Sequence, residues 1–345
     1  MASKLTHNFA TAPDGAKLSY YTTGTGPGII VVHGAMSFGL THKDLAVALS
    51  PYFTVHLISR RARGLSGPYP PSITSSSSPL CTSKTNPPET LRIANRTLPR
   101  TYTPSFSSTV LETDVSDLHT LLTATGARFI VSISSGALIT LSYLLTYPGA
   151  AGLIEKAILF EPPVQFSDLD KPNSQLKGFA SLGAYETRRE AGDNIGALVS
   201  ALRMTGMVPG WMPGWLVGVI VKRKGEAHRS RALAKQREGS EQSRGEGDGV
   251  SGPLDLVQAL RYDFCVGEAM VGDAERFKGI QGVKVLLMGG TKSQGYLREA
   301  MDVLEGLLGC EKVVIQGLAH VGLSNEEAGG RPEAAAGAIR SFLDS

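Results

Sequence analysis

The stretch Phe129–Leu138, which reads FIVSISSGAL, decides how the rest of the chain is interpreted. Its first half is an apolar, β-prone run, and its second half consists mostly of small residues. A further apolar segment over 138–145 can continue as a buried helix. The pattern predicts a buried strand that turns sharply into a helix, with Ser134 at the apex of the turn. An ordinary buried strand–helix junction would also fit this stretch taken alone.

The segment Ser132–Gly136 (SISSG) is close to the motif G-x-S-x-G, in which a strained turn exposes a nucleophilic serine. Ser132 stands in place of the first glycine, and serine is small enough for a turn whose neighbours crowd the backbone. The register of the motif puts Ser134 at the apex, which favours it over Ser135 as the nucleophile.

Composition limits the class of protein. A chain of 345 residues suits one large α/β domain with an inserted subdomain. Its content of 42% hydrophobic and 19% charged residues is typical of a globular protein. The net charge of +3 is too small and too scattered to indicate a nucleic-acid partner.

The cysteines and the first residues predict where the protein works. Cys81, Cys265 and Cys310 are far apart and odd in number, which predicts neither a disulfide framework nor a metal site. Residues 1–8 lack the apolar core of a signal peptide, and no run of about 18 apolar residues predicts a membrane span. We therefore expect a reducing, cytoplasmic location. The oligomeric state is not indicated.

Apolar runs and helical patterns alternate along most of the chain. After an opening hairpin near 17–21, buried strands are predicted at 29–32, 53–58, 129–132, 156–160, 283–288 and 312–315. Helices are predicted at 42–50, 108–125, 138–145, 296–308 and 332–343. This order predicts an α/β fold with a mostly parallel, twisted sheet and helices on both faces.

Two segments interrupt that alternation. Residues 69–106 are rich in Ser, Pro and Thr without periodicity, and we expect a long exposed, disordered insertion there. Residues 164–282 suspend the sheet pattern and look mainly helical, with a charged, Gly/Ser-rich flexible part at 222–252. The core is thus expected at 1–163 and 283–345.

Three other segments, together with Ser132–Gly136, carry a family resemblance. His33 and Gly34 end the strand at 29–32, the loop at 59–68 (SRRARGLSGP) is similar to D-x-R-G-x-G-x-S, and His320 has a G-x-x-H setting after the last strand. These features resemble the α/β-hydrolase superfamily, with departures at Ser59 and Ala62. The resemblance implies an inserted helical lid over 164–282 and a chain order of serine, acid and histidine.

The resemblance also implies roles for particular residues. Ser134 would be the nucleophile and His320 its base. The oxyanion hole would use the amide of Ser135, at the positive start of a helix, and an amide at Gly34 or Ala35. We interpret His33 as a brace for its loop rather than as a catalytic group.

The acid of the triad is less easily assigned. Most members of the superfamily carry Asp in the loop after the strand at 283–288, but the matching residue is Ser293, which is uncharged. The chain could be inactive as a hydrolase, could work weakly without an acid, or could take its acid from elsewhere.

Glu161 is the candidate for a triad acid that comes from a place other than the loop after the strand at 283–288. It ends the strand at 156–160, and the carboxyl ends of neighbouring parallel strands meet at one edge of a sheet. Together with the Ser134–Gly136 sequence it resembles the zearalenone-type lactone hydrolases, whose acid is a Glu at this place. That resemblance covers 18–163 and 283–343 but not the lid. A carboxylate that only braces its loop is the alternative interpretation of Glu161.

Met36, Trp211 and Trp215 are candidates for an apolar substrate pocket, although the tryptophans could equally form the core of the lid. No phosphate-binding loop or metal cluster is evident, so no cofactor is expected. We therefore predict a serine hydrolase of an apolar ester or lactone. The alternatives are a non-hydrolytic member of the fold, which binds a small molecule or promotes a lyase or cyclase step, and an interaction module that uses the basic segment at 222–244.

Overall fold

The computed structural model of the chain describes the core and parts of both insertions. The described residues are 4–74, 91–93, 96–98, 104–147, 153–166, 182–209, 211–223, 253–272 and 274–345.

Ten strands lie in the described part of the chain. They are β1 (Thr6–Thr11), β2 (Lys17–Thr23), β3 (Gly28–Val32), β4 (Thr54–Ile58), β5 (Leu91–Ile93), β6 (Arg96–Leu98), β7 (Phe129–Ile133), β8 (Lys156–Phe160), β9 (Lys284–Gly290) and β10 (Glu311–Ile315). Eight of them form one sheet in the order β1-β2-β4-β3-β7-β8-β9-β10, and β5 and β6 form a separate hairpin. From β4 to β10 every neighbouring pair in the large sheet is parallel.

Helices follow most of these strands. They are α1 (Lys43–Leu49), α2 (Pro71–Thr74), α3 (Pro104–Thr125), α4 (Ser135–Thr146), α5 (Leu182–Glu190), α6 (Asn194–Met204), α7 (214–223), α8 (Pro253–Leu256), α9 (Leu260–Ala269), α10 (Gly295–Leu308) and α11 (Pro332–Asp344). None of the described helices is long and apolar enough to cross a lipid bilayer.

The central strands are buried on both faces. Ile30 and Val32 of β3 point into a core shared with α3, α4 and α10, whereas Ile29 and Val31 belong to a second core with α1 and α11. Successive side chains of a strand face opposite sides, so a continuous β-branched run needs helices on both faces. The predicted α/β class with a mostly parallel sheet is confirmed.

The predicted elements occur with ends that differ by a few residues. The expectation of an exposed insertion over 69–106 differs from the structure at its ends, because Tyr69 and Ile73 are each only 1% exposed and α3 already begins at Pro104. Tyr69 stacks on Tyr262 with ring centroids 4.0 Å apart, which explains why this aromatic residue is part of the core. Most of 69–106 and of 222–252 lies outside the described residues.

The described residues between β8 and β9 are mainly helical. Side chains from α5, α6, α7 and α9 form a small apolar core of their own. Ala35 and Met36, in the loop after β3, pack against this core. The helical region therefore rests on the loop that follows the predicted His33–Gly34 motif, while its role as a lid stays a prediction.

A polar contact joins α9 to α3 within the apolar surroundings. The hydroxyl of Ser107 donates a hydrogen bond to Oε2 of Glu268 at 2.5 Å. Burial raises the pKa of Glu268 from 4.5 to about 8, and the hydrogen bond from Ser107 offsets this only in part. The native state therefore keeps Glu268 protonated at pH values where the unfolded chain has released this proton.

The raised pKa predicts a pH-dependent stability. Because the folded state binds the proton more tightly, the free energy of unfolding is highest below pH 4.5 for this group and falls as the pH rises toward about 8. Glu268→Gln should flatten that slope and make the protein more stable than wild type at pH 8. Urea unfolding at pH 5, 6.5 and 8 tests this, with the exposed Glu299→Gln as the matched control. Equal pH slopes in wild type and Glu268→Gln would contradict the assignment.

Candidate active site

The turn between β7 and α4 is strained. Ser134 has φ 53° and ψ −120°, a region that non-glycine residues rarely adopt and that costs about 1–3 kcal/mol. The amide of Ser134 donates to the carbonyl of Phe160 at 2.9 Å, which holds the turn against β8. A Cβ on Gly136 would lie 2.5 Å from the carbonyl oxygen of Val32, so glycine is required where α4 approaches β3.

Ser132 fits the place where the motif usually has glycine. Its side chain is fully buried, and its hydroxyl donates to the carbonyl of Ile158 on β8 at 3.2 Å. The hydroxyl thus finds a partner on the neighbouring strand, and the departure from the motif leaves the turn at Ser134 intact.

His320 lies between Ser134 and Glu161. Its Nε2 is 3.1 Å from Oγ of Ser134, and its Nδ1 is 2.6 Å from Oε2 of Glu161. A carboxylate can only accept, so Nδ1 carries the hydrogen and Nε2 is left to accept from the serine hydroxyl. The imidazole is partly exposed, whereas the Glu161 side chain is fully buried.

Glu161 is held from three sides. Besides accepting from His320, its carboxylate accepts from the amide of Gly290 at 2.8 Å and from the hydroxyl of Ser293. The backbone of Glu161 has φ 49°, and its amide donates to the carbonyl of Met288 at 3.0 Å. Like Ser134, it is a strained residue at the carboxyl end of a parallel strand.

Ser293 contributes a contact that the sequence did not suggest. In the sequence it stands where related chains carry an aspartate; in the structure it is buried and donates to Glu161. Asp263, another carboxylate that could have served His320, points elsewhere and binds Ser135 and two arginines. Among the described residues, Glu161 is the carboxylate that contacts His320.

The predicted amide donors lie close to Ser134. A Cβ on Gly34 would lie 2.9 Å from Cβ of Ser134, so the backbone after β3 approaches the serine closely. Ser135 is the first residue of α4, and a first-turn amide has no acceptor within its own helix. The backbone at Gly34 and the amide of Ser135 are therefore near the serine, and the use of the amides of Gly34, Ala35 and Ser135 as an oxyanion hole stays a prediction.

His33 braces the loop after β3. It is fully buried, its Nδ1–H donates to the carbonyl of Gly34 at 2.8 Å, and its Nε2 accepts from the amide of Arg60 at 3.0 Å. Burial, aided by the positive charges of Arg60 and Arg63, lowers the pKa of His33 well below 6.5. A neutral imidazole with both nitrogens engaged fits the bracing role that we expected.

A buried ion network lies on the other side of the turn. Arg60 donates to Asp263 at 2.6 Å and to Asp114 at 2.7 Å, and Arg63 donates to Asp263 at 2.5 Å. Burial would raise the pKa of Asp263, but Arg63 and Arg60 outweigh it and lower this pKa to about 2. The sequence analysis missed this network, although the unusual arginine-rich loop at 59–68 was a signal for it.

The predicted pocket residues differ in how far they are exposed. Met36 packs against the helical core between β8 and β9 and has φ 53° next to the serine turn. Trp211 and Trp215 are 79% and 72% exposed, so they are not part of that helical core. A role of these tryptophans in a pocket stays a prediction.

Comparisons with known proteins identify the architecture. No protein-family model and no curated protein sequence match the chain. Among solved structures, an α/β hydrolase from Sphaerobacter thermophilus is similar with a TM-score of 0.59 at 22% identity, covering 97% of this chain and 100% of that chain. The chain has the α/β-hydrolase fold.

Two other solved structures share this fold with different chemistry. The esterase EaEST from Exiguobacterium antarcticum has a TM-score of 0.59 at 16% identity, with 99% of this chain and 100% of that chain covered. The epoxide hydrolase VrEH1 from Vigna radiata has a TM-score of 0.55 at 16% identity, with 99% and 98% covered. At these identities the likeness establishes the fold alone, and the activity must be argued from the residues.

A strained residue also lies in the loop after β4. Ala62, which stands where the related loop has glycine, is exposed and has φ 57°. A left-handed conformation costs a non-glycine residue about 1–2 kcal/mol. Glycine avoids this cost in the folded state, but it also makes the unfolded chain more flexible, which cancels part of the gain in stability. The loop therefore has a left-handed turn at Ala62 that is strained because the residue carries a Cβ.

Ala62→Gly should stabilise the protein by about 0.5–1 kcal/mol, because it relieves the strain and removes only an exposed methyl group. Ala334→Gly, at an exposed position of α11, should instead destabilise the protein by up to about 1 kcal/mol. Urea unfolding of both variants tests the pair. Destabilisation by Ala62→Gly would show that Ala62 is not strained in solution.

Proposed function

We propose that the protein is a cofactor-free serine hydrolase that cleaves a carboxylic ester or lactone with Ser134, His320 and Glu161. The observation that carries this proposal is the position of His320, 3.1 Å from Oγ of Ser134 and 2.6 Å from Glu161. A serine hydroxyl is a weak nucleophile until a base within hydrogen-bond reach takes its proton, and the base needs a third group to orient it.

The first half of the reaction forms an acyl-enzyme. Oγ of Ser134 attacks the carbonyl carbon while Nε2 of His320 takes the hydroxyl proton. The negative charge on the carbonyl oxygen is stabilised by the amide of Ser135 and an amide at Gly34 or Ala35. When the tetrahedral intermediate collapses, His320 returns the proton to the leaving alcohol, and in a lactone that alcohol stays attached to the acyl group.

The second half releases the acid. His320 takes a proton from water, the hydroxide attacks the acyl carbon, and the proton passes to Oγ of Ser134 as the ester bond to the enzyme breaks. Throughout, Glu161 accepts from Nδ1 and stabilises the imidazolium that forms. Both steps use groups that this chain supplies itself.

The substrate class follows from the surroundings of the serine. Met36 and the apolar core between β8 and β9 adjoin the loop at Gly34, which favours an apolar acyl or alcohol group. A lactone is favoured over a simple ester by the resemblance to zearalenone-type lactone hydrolases, which place a Glu acid after the same strand.

Substitution of the three residues tests the mechanism. Ser134→Ala and His320→Ala should abolish hydrolysis of 4-nitrophenyl esters, and Glu161→Gln should lower kcat by about 10³-fold or more because the imidazole loses its charged partner. A fluorophosphonate probe should label wild type at Ser134, located by peptide mass spectrometry. Ser142→Ala, on the same helix, is the matched control and should keep both hydrolysis and labelling.

Two results would contradict the proposal in different ways. Near-full activity of Glu161→Gln would remove Glu161 from the triad while leaving the serine mechanism. Folded wild type that neither labels nor hydrolyses esters would favour a non-hydrolytic member of the fold.

Ser293 offers a separate test of how Glu161 is held. Ser293→Ala removes one of the donors to the buried carboxylate, and a hydrogen bond to a charged group is worth about 1.5–3 kcal/mol. We expect kcat to fall about tenfold or more, with Ser293→Thr, which keeps the hydroxyl, retaining most of it. Unchanged kcat in Ser293→Ala would show that Gly290 and His320 suffice to fix the acid.

A further inference from the structure

Ser135 has two groups that face different partners. Its amide belongs to the proposed oxyanion hole, whereas its hydroxyl donates to Oδ1 of Asp263 at 2.9 Å and accepts from Arg60 at 3.3 Å. The side chain is buried, and Asp263 comes from α9, more than 120 residues along the chain. A residue beside the nucleophile is thus tied to the helical insertion.

Arg60 contacts both of the segments that supply amides to the proposed oxyanion hole. Its backbone amide donates to His33, which in turn donates to the carbonyl of Gly34. Its guanidinium donates to Ser135 and to Asp263. The two segments that supply the amides, after β3 and at the start of α4, are therefore connected through one arginine.

Asp263 closes this connection and stays ionised. Its two oxygens accept from Arg60 and Arg63, and it is only 5% exposed. Removing these charged groups from water costs free energy. Apolar side chains of similar size in their place often give a protein equal or greater stability. Apolar residues could not, however, make the hydrogen bonds by which Asp263 holds Ser135 and the two arginines.

We propose that Asp263 is a positioning residue of the oxyanion hole, which it fixes through the hydroxyl of Ser135 and the guanidinium of Arg60. This inference rests on the proposed function, because Asp263 is inferred to align the amide donors of the proposed oxyanion hole. Seating α9 on the core completes the hole, so the helical insertion contributes to transition-state stabilisation.

A pair of substrates isolates the oxyanion hole from general loss of structure. 4-Nitrophenyl acetate and its thionoester have the same leaving group, but sulfur is larger and accepts hydrogen bonds poorly, so aligned amides favour the oxoester. Wild type should therefore show a high ratio of kcat/KM for the oxoester over the thionoester. Ser135→Ala and Asp263→Asn should lower this ratio by about tenfold or more, through kcat rather than KM.

Asp117→Asn is the matched control. Asp117 is 6% exposed and its carboxylate accepts from Arg61 in the same loop, so this substitution breaks a buried ion pair that does not include Arg60 or Ser135. It should lose stability in urea unfolding as Asp263→Asn does, yet keep the ratio of oxoester to thionoester. If Asp263→Asn fails to fold, Ser135→Ala, which leaves every charge in place, decides the question.

The outcomes separate this inference from the proposed function. Active wild type with an unchanged ratio in Ser135→Ala and in folded Asp263→Asn overturns the positioning role and leaves the hydrolase intact. An equal fall of the ratio in Asp117→Asn overturns it too, because the effect would then follow stability. Wild type that neither hydrolyses the oxoester nor labels with fluorophosphonate overturns the proposed function and the inference with it.

Discussion

The carboxyl group of Glu161 is fully buried, and a buried polar or charged group must find hydrogen-bond partners to offset the water that it has lost. Its donors come from the ends of two strands. The amide of Gly290 and the hydroxyl of Ser293 lie at the end of β9, and the imidazole of His320 lies after β10. In the sheet, β9 pairs with β8, and β10 pairs with β9. The order of the strands therefore brings these donors to Glu161, whose other oxygen binds the imidazole that faces Ser134.

Backbone strain is concentrated at the same edge of the sheet. Ser134 and Glu161 both have positive φ at the ends of neighbouring strands, and the amide of each donates to a carbonyl on the next strand, at Phe160 and Met288. These hydrogen bonds extend the parallel ladder by one residue into the turn. A rigid, doubly covered sheet can hold such residues, because relaxing either turn would break hydrogen bonds in the ladder.

Much of the fold was predictable because apolar runs and helical periodicity are local properties. Ser134, His320 and Glu161 could also be selected, since each follows a predicted strand and the chemistry requires a serine, a base and an acid. The pairing of Arg60 with Asp263 could not be found in this way. It joins residues 203 positions apart, and a local pattern does not say which charged side chains become buried.

The hydroxyl of Ser293 touches the same oxygen of Glu161 that faces the amide of Gly290. A carboxylate introduced at position 293 would meet Glu161 at hydrogen-bond distance. Two carboxylates that close cannot both ionise and would share one proton. The serine at this position therefore supplies Glu161 with a donor and adds no second carboxyl group that would compete for the same proton.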